Sequence, residues 1–334
     1  MNIKEAWSKI GESGVHGFIA RRLSPNPSDQ LYAAMDTARN VRMLVLACKG
    51  PLTREIRTIL TSSEGYATKY AVLDLSSRSQ PSIIIESTAG TPIAVFESLC
   101  EDVATSVLQR SPSQEAEEVF SGRLLLWRRL FESRRTEGLG FEERLGLLAE
   151  LTHLKDLILA GGDPLSVLTW WTGPEKLTTD FQSPHARTEV KATATKRQYK
   201  IRIHGERQLE SLDHRPLSLV AMMFERVVAD GVSLPEEVAT IRHLLGTGVA
   251  EQMFGSKLLE GGYLSAHEEE YRGESLRLVE RREYQVGKEF PHIASESIPE
   301  GVGDLGYSLD LSACEPFRMK EGSAISALLG KGGE

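Results

Sequence analysis

The sequence predicts an α/β chain of the α+β kind. A strand-rich N-terminal domain comes first, then helices, then a small mixed sheet flanked by helices. Three observations carry this expectation. Apolar runs of strand length, stopped by turn residues, recur through residues 41–86. Three stretches of helical periodicity follow between residues 92 and 159. Short segments with period-two alternation return from residue 179 onward.

Taken in order, the run 41–48 is continuously apolar apart from Arg42 and is stopped by Gly50-Pro51. Residues 70–75 and 82–86 read as strands in the same way. Residues 92–108 place Ile93, Phe96, Leu99, Val103 and Val107 on one helical face. Ser111-Pro112-Ser113-Gln114 is the candidate linker. A second helix is expected over 115–133, and a third over 141–159 after the Gly138-Leu139-Gly140 break. In this third helix Leu145, Leu148, Leu151 and Leu154 keep helical spacing, and Glu150 lies beside their stripe. A carboxylate in that position costs free energy unless a cation or a hydrogen bond satisfies it.

A turn at Gly161-Gly162-Asp163-Pro164 and the segment Trp170-Trp171-Thr172-Gly173-Pro174 lead to three short strands, over 179–182, 187–192 and 198–203. In the last of them Tyr199, Ile201 and Ile203 alternate with Lys200 and Arg202, giving one apolar and one basic face. A further strand is expected over 217–223. Ser233-Leu234-Pro235-Glu236 is a capping box with proline in the first turn, opening a helix that runs to about residue 245. Residues 276–311 read as strands with turns at Gly287, Pro299 and Gly303, and the tail 330–334 as disordered. The expected domains are a recognition or partner-binding region over 1–112, a catalytic core over 113–230, and a completing or flanking region over 231–334.

Composition narrows the function. With 334 residues, 40% hydrophobic and 26% charged, the chain has ordinary soluble globular content and can bury a sizeable core. No apolar run reaches the roughly 18 residues of a membrane span. The start carries Glu5 and no apolar stretch of signal-peptide type, so a cytoplasmic location without membrane association is expected. Cys48, Cys100 and Cys314 are odd in number and widely spaced, which argues against a disulfide framework or zinc cluster. The eight histidines show no paired metal spacing. Residues 160–164 lack the lysine of a phosphate-binding loop, and no Gly-x-Ser-x-Gly elbow is present, so nucleotide hydrolysis and serine-hydrolase chemistry are excluded. The net charge of −8 is unusual for a protein that grips nucleic acid by bulk electrostatics, so any such contact is local or shared with a partner.

The chemistry concentrates in Thr179-Asp180-Phe181 and Thr188-Glu189-Val190-Lys191. Period two places Glu189 and Lys191 on one face of their strand. Asp180 stands nine positions before Glu189, so a hairpin between the two strands brings three ionisable groups together. Neighbouring carboxylates repel, and a hard divalent cation such as Mg²⁺, which takes few carboxylates and keeps several waters, removes that cost. A metal beside a lysine is minimal equipment for phosphodiester hydrolysis.

These motifs resemble the PD-(D/E)XK nuclease superfamily, in particular the bacterial PD-(D/E)XK motif proteins associated with restriction and phage defence. The similarity covers most of the chain. It rests on Leu147-Leu148-Ala149-Glu150-Leu151, on Trp170-Trp171-Thr172-Gly173-Pro174 followed by Asp180-Phe181, and on Glu189-Val190-Lys191. It continues through Arg207-Gln208-Leu209, Tyr284-Gln285-Val286, Phe290-Pro291-His292-Ile293 and Tyr307-Ser308-Leu309-Asp310-Leu311. Thr179 stands where the motif's name has proline. The resemblance implies a restriction-endonuclease-like core and Mg²⁺ as cofactor, with Mn²⁺ as substitute. It implies Asp180 and Glu189 as metal ligands, with Glu150 assisting the metal or its waters. Lys191 would orient or activate the attacking water, and Gln208 would help position it. The expected partners are DNA, other defence-system subunits and a second copy of the chain.

Plainer readings stand beside these. Glu-x-Lys on a strand is commonly a solvated face, and Glu150 has Arg144 and His153 as alternative partners. Trp127, Trp170 and Trp171 are candidates for core packing first and base stacking second. Residues 187–207 hold seven basic and two acidic residues, either a phosphate track or a solvated face. Arg128, Arg129, Arg134 and Arg135 form a second basic cluster that could meet phosphates or pair with Glu117 and Glu118. His185, His204 and His214 read as structural or exposed. The rival to an Mg²⁺-dependent DNA endonuclease is a nuclease-fold subunit that binds or scaffolds without cutting.

Overall fold

The computed structural model describes residues 2–24, 30–75, 78–132, 137–194, 200–205, 207–210, 213–303 and 305–331. The chain forms two compact units, Met1–Gly138 with Gly262–Ala266, and Leu139–Gly261 with His267–Glu334.

The first unit opens with α1 (Ile3–Gly11), where the Asn2 side chain accepts from Glu5 N at 2.8 Å and Ile3, Ala6, Trp7 and Ile10 are buried. Strands β1 (Phe18–Arg22), β2 (Leu31–Asp36) and β3 (Val41–Ala47) follow, then α2 (Arg54–Ile59) and the hairpin of β4 (Tyr66–Leu75) with β5 (Arg78–Ser87). The five strands make one antiparallel sheet in the order β1-β2-β3-β5-β4. Its inner strands are buried on both faces, which is why 41–48 reads as a continuous apolar run. Helices α3 (Ile93–Leu108) and α4 (Ala116–Glu132) pack on each other, pinned where Arg123 and Trp127 Nε1 both reach the Asp102 carboxylate. Helix α4 lies in this unit, and the chain divides after Gly138. The sequence reading did not anticipate α1, α2, β1 or β2.

The second unit begins with α5 (Phe141–Leu159), where Leu145, Leu148, Leu151 and Leu154 are buried as their spacing requires. Helix α6 (Pro164–Trp170) starts at Asp163, whose carboxylate accepts from Ser166 N at 2.9 Å, and it occupies what the sequence suggests is only a turn. Next come β6 (Phe181–Gln182), β7 (Arg187–Thr193), β8 (Lys200–His204) and β9 (Leu217–Val227). Then follow α7 (Leu234–Leu245), α8 (Val249–Glu260), α9 (Glu268–Arg272), β10 (Ser275–Val286), β11 (Gly306–Asp310), β12 (Arg318–Met319) and α10 (Ser323–Leu328).

The main sheet of this unit is mixed, in the order β12-β10-β9-β7-β6. β7 and β9 are parallel, whereas β6–β7, β9–β10 and β10–β12 are antiparallel. β8 pairs with β11 in a separate ribbon. One apolar cluster joins Leu217, Leu219 and Ala221 of β9 to Ile201 and Ile203 of β8 and Leu309 of β11. Glu189 and Lys191 pair with Leu219 and Ala221, so they point to the same side of the sheet as those residues. The mixed α/β architecture with a small sheet flanked by helices agrees with the fold class expected from the sequence. Tyr199 and the start of the 198–203 strand lie outside the described residues, as do Arg134, Arg135 and the last three tail positions.

Candidate active site

The β6–β7 pairing sets Phe181 opposite Thr188 and Gln182 opposite Arg187. Asp180 therefore enters the sheet beside Glu189, and its Oδ2 accepts from Val190 N at 2.8 Å. On β7, Lys191 Nζ lies 2.6 Å from Glu189 Oε1. Glu189 is fully buried, and the Asp180 backbone N–H also reaches its carboxylate.

Glu150 comes in from α5, and its Oε2 accepts from Trp171 Nε1 at 2.7 Å. The plainer partners are engaged elsewhere. Arg144 binds Glu274 at 3.1 Å and the Leu139 carbonyl at 2.6 Å, while His153 Nδ1 is 2.8 Å from Arg281. Trp171 and Trp127 are buried, which makes packing their role and corrects the base-stacking alternative for both.

The segment between Trp171 and Asp180 brings these carboxylates together. Thr172 N and Gly173 N both donate to the Asp180 carbonyl, at 2.7 and 3.1 Å, and Thr172 Oγ1 donates to the Thr179 carbonyl at 2.7 Å. Gly173 faces the acids themselves. A methyl group there would overlap the Glu150 carboxylate and lie 3.2 Å from Asp180 Oδ1.

Electrostatics follow from this crowding. Burial, then the Asp180 charge, holds Glu150 well above the usual carboxylate range, although the Trp171 hydrogen bond opposes both. Burial raises Asp180 against the pull of Lys191 and the Val190 N–H. Burial and Asp180 push Glu189 up to about 8. Burial acts to lower Lys191, but Glu189, Asp180 and Glu150 outweigh it and raise its pKa. The Lys191 ammonium is therefore protonated at neutral pH, and it balances only one of three acids. The remaining negative charge calls for protons or a further cation.

A hard divalent cation fits this donor set. Among the described residues no three His, Cys, Asp or Glu side chains form a ready-made metal cage. Mg²⁺ binds through one or two carboxylates and keeps waters. Asp180 and Glu189 could supply those ligands, with Glu150 acting through a water.

Asp180 also lines a cleft of about 460 Å³ together with Gly173, Lys176, His204, Arg207 and Gln208. Gln208 Oε1 already accepts from His204 N at 3.0 Å, so its amide N–H groups are what it offers the cleft. Of the basic stretch 187–207, Arg187 is buried 3.5 Å from Asp213, Lys200 and Arg202 are exposed, and Lys196 and Arg197 lie outside the described residues. In the second basic cluster, Arg128 Nε lies 3.6 Å from Glu132. Sequence reasoning missed Trp171 as the donor to Glu150 and Gly173 as the gap that admits it, although both sit in a segment it singled out.

Residues 3–312 match the family model DUF4420, whose description reads "Putative PD-(D/E)XK family member". The chain belongs to the DUF4420 family. No curated protein and no solved structure matches it. All five of the sequence-predicted site residues fall inside the span matched by DUF4420. No helix among the described residues is long and apolar enough to cross a membrane.

Proposed function

We propose that this DUF4420 protein is an Mg²⁺-dependent endonuclease that hydrolyses DNA phosphodiester bonds, with Mn²⁺ able to replace Mg²⁺. The observation that carries the reading is the meeting of Glu150, Asp180, Glu189 and Lys191 from one helix and two paired strands. Asp180 and Glu189 would hold the metal, and Glu150 would assist the metal or its waters. The bound cation supplies positive charge beside the scissile phosphate and a more acidic water. Lys191, 2.6 Å from Glu189, would orient or activate the attacking water and offset charge developing on the phosphate. The amide of Gln208 and the cations Lys176 and Arg207 line the cleft along which a phosphate backbone would run. The motif resemblance favours a role within a restriction or anti-phage system, and the three free, widely spaced cysteines favour the cytoplasm. There, other subunits or a second copy would contribute DNA-binding surface that a chain of net charge −8 lacks.

Cleavage of plasmid or phage DNA in the presence of Mg²⁺ tests the proposal. Asp180→Ala and Lys191→Ala should each abolish it while the circular-dichroism spectrum is kept. Cutting that survives in both variants removes these residues from the mechanism. The rival reading, a subunit that binds or scaffolds without cutting, needs no metal. Calorimetry showing no Mn²⁺ binding dependent on Asp180 and Glu189 would favour it.

A further inference from the structure

We infer that Lys257 of α8 is the positioning residue that sets Glu150 and Asp180 for reaction, an inference that rests on the nuclease reading above. Lysine is seldom buried unless it is paired. Here the side chain is only 8% exposed, and its ammonium donates to the Trp171 carbonyl at 2.6 Å and to Glu175 Oε1 at 2.7 Å. Those two acceptors stand at opposite ends of the segment 171–175. Every contact from this segment to the acids begins between them. Trp171 Nε1 holds Glu150, Thr172 N and Gly173 N hold the Asp180 carbonyl, and Gly173 leaves the space both carboxylates occupy.

The Trp171 carbonyl closes the C-terminal end of α6, where backbone carbonyls run out of helical partners and favour a cation. Phe254, one turn before Lys257 on α8, packs its ring 6.0 Å from that of Trp171. One helix therefore grips both the backbone and the indole of the residue that donates to Glu150. The cation that acts directly on the carboxylates is Lys191. Lys257 acts through the loop. Its loss lets the loop shift, and the two acids separate from the geometry that Gly173 permits.

Three variants of the full chain test this. Lys257→Met keeps the length and apolar stem without the donors, Lys257→Arg keeps donors, and Glu175→Gln weakens the clamp from its solvent side. The first readout needs neither metal nor DNA. It is the indole ¹⁵N–¹H resonance of Trp171, assigned with Trp171→Phe, and the rate at which that proton exchanges. Lys257→Met should move the resonance and speed exchange about tenfold, the worth of one buried hydrogen bond, leaving the Trp7 and Trp127 indoles in place. The second readout is Mg²⁺-dependent cleavage, where kcat should fall about 100-fold with KM nearly constant, as for a displaced catalytic group. Lys257→Arg should recover most of both.

An unchanged Trp171 resonance in folded Lys257→Met overturns the inference. If that variant does not fold, Glu175→Gln decides in its place, with an unmoved resonance counting against the clamp. Should no form of the protein cut DNA, the nuclease reading fails while the resonance still judges the clamp.

Discussion

Gly173 shows how much a single missing side chain can decide. Two half-buried acids approach each other across its Cα, and one methyl group would take the space of the Glu150 carboxylate. Gly173→Ala should lower kcat/KM about 100-fold, because a displacement near 1 Å at a catalytic group has that effect. Thermal stability should change much less, since moving one acid away from its neighbour relieves repulsion as it disturbs packing. Parallel cleavage and melting measurements check this, and full activity in the variant would show that Glu150 tolerates displacement. Asp180, Glu189 and Lys191 were legible in the sequence because a hairpin and a period of two suffice to gather them. Gly173 was visible within a motif, yet its reason was not, because nothing local to residues 170–174 reveals which side chain will stand opposite.

Between elements, the second unit is held by a buried charge network. Arg281 of β10 binds Asp156 of α5 at 2.6 Å, Glu283 at 2.9 Å and His153 Nδ1 at 2.8 Å. Glu283 in turn accepts from Gly322 N at 3.1 Å and Ala324 N at 2.8 Å at the start of α10. Burial, then the Arg281 charge, keeps the His153 pKa well below its usual value, so the ring stays neutral in the folded state. The unfolded chain takes up a proton below a pH of about 6.5 that the folded protein does not. His153 thus contributes its full share of stability above that pH and loses it as the pH falls, by about 1.4 kcal/mol per unit. His153→Asn keeps an acceptor for Arg281 and removes the titration. The stability gap between wild type and variant should move in the variant's favour by that amount between pH 6 and pH 5, measured by urea unfolding. Equal pH slopes in the two proteins would refute a neutral His153.

Elements with strong local patterns were legible, and those defined by distant partners were not. The capping box at Ser233 and the leucine stripe of α5 announced their helices from neighbours three or four positions apart. Helix α8 escaped because Gly255 breaks its sequence pattern and its buried face includes Lys257, which reads as polar until Trp171 and Glu175 are seen around it. Helix α1 is only 9 residues long and takes its meaning from Trp7, whose indole bonds the carbonyls of Ala34 and Met43 in the sheet.

At the scale of the whole molecule, the acidic charge and the proposed substrate pull in opposite directions. A chain of net charge −8 can meet DNA only where cations are concentrated, and Lys176 and Arg207 stand on the cleft that Asp180 lines. Salt dependence measures this directly. Each phosphate contact removed should flatten the slope of log K against log salt by about 0.9 for duplex DNA. Lys176→Ala and Arg207→Ala should each do so, in binding titrations with Ca²⁺ replacing Mg²⁺, and an unaltered slope in both would place the phosphate track elsewhere.

By itself the sequence determined the fold class, most of the longer helices and strands, and the three charged groups of the β6–β7 hairpin, since each follows from residues close along the chain. Only the tertiary structure decided how Glu150 joins them, through an indole 21 positions away, and what steadies that indole, through a lysine 86 positions further on. Such contacts leave no periodic trace. They form because packing the helices of the second unit around its sheet offsets the chain entropy of bringing distant segments together.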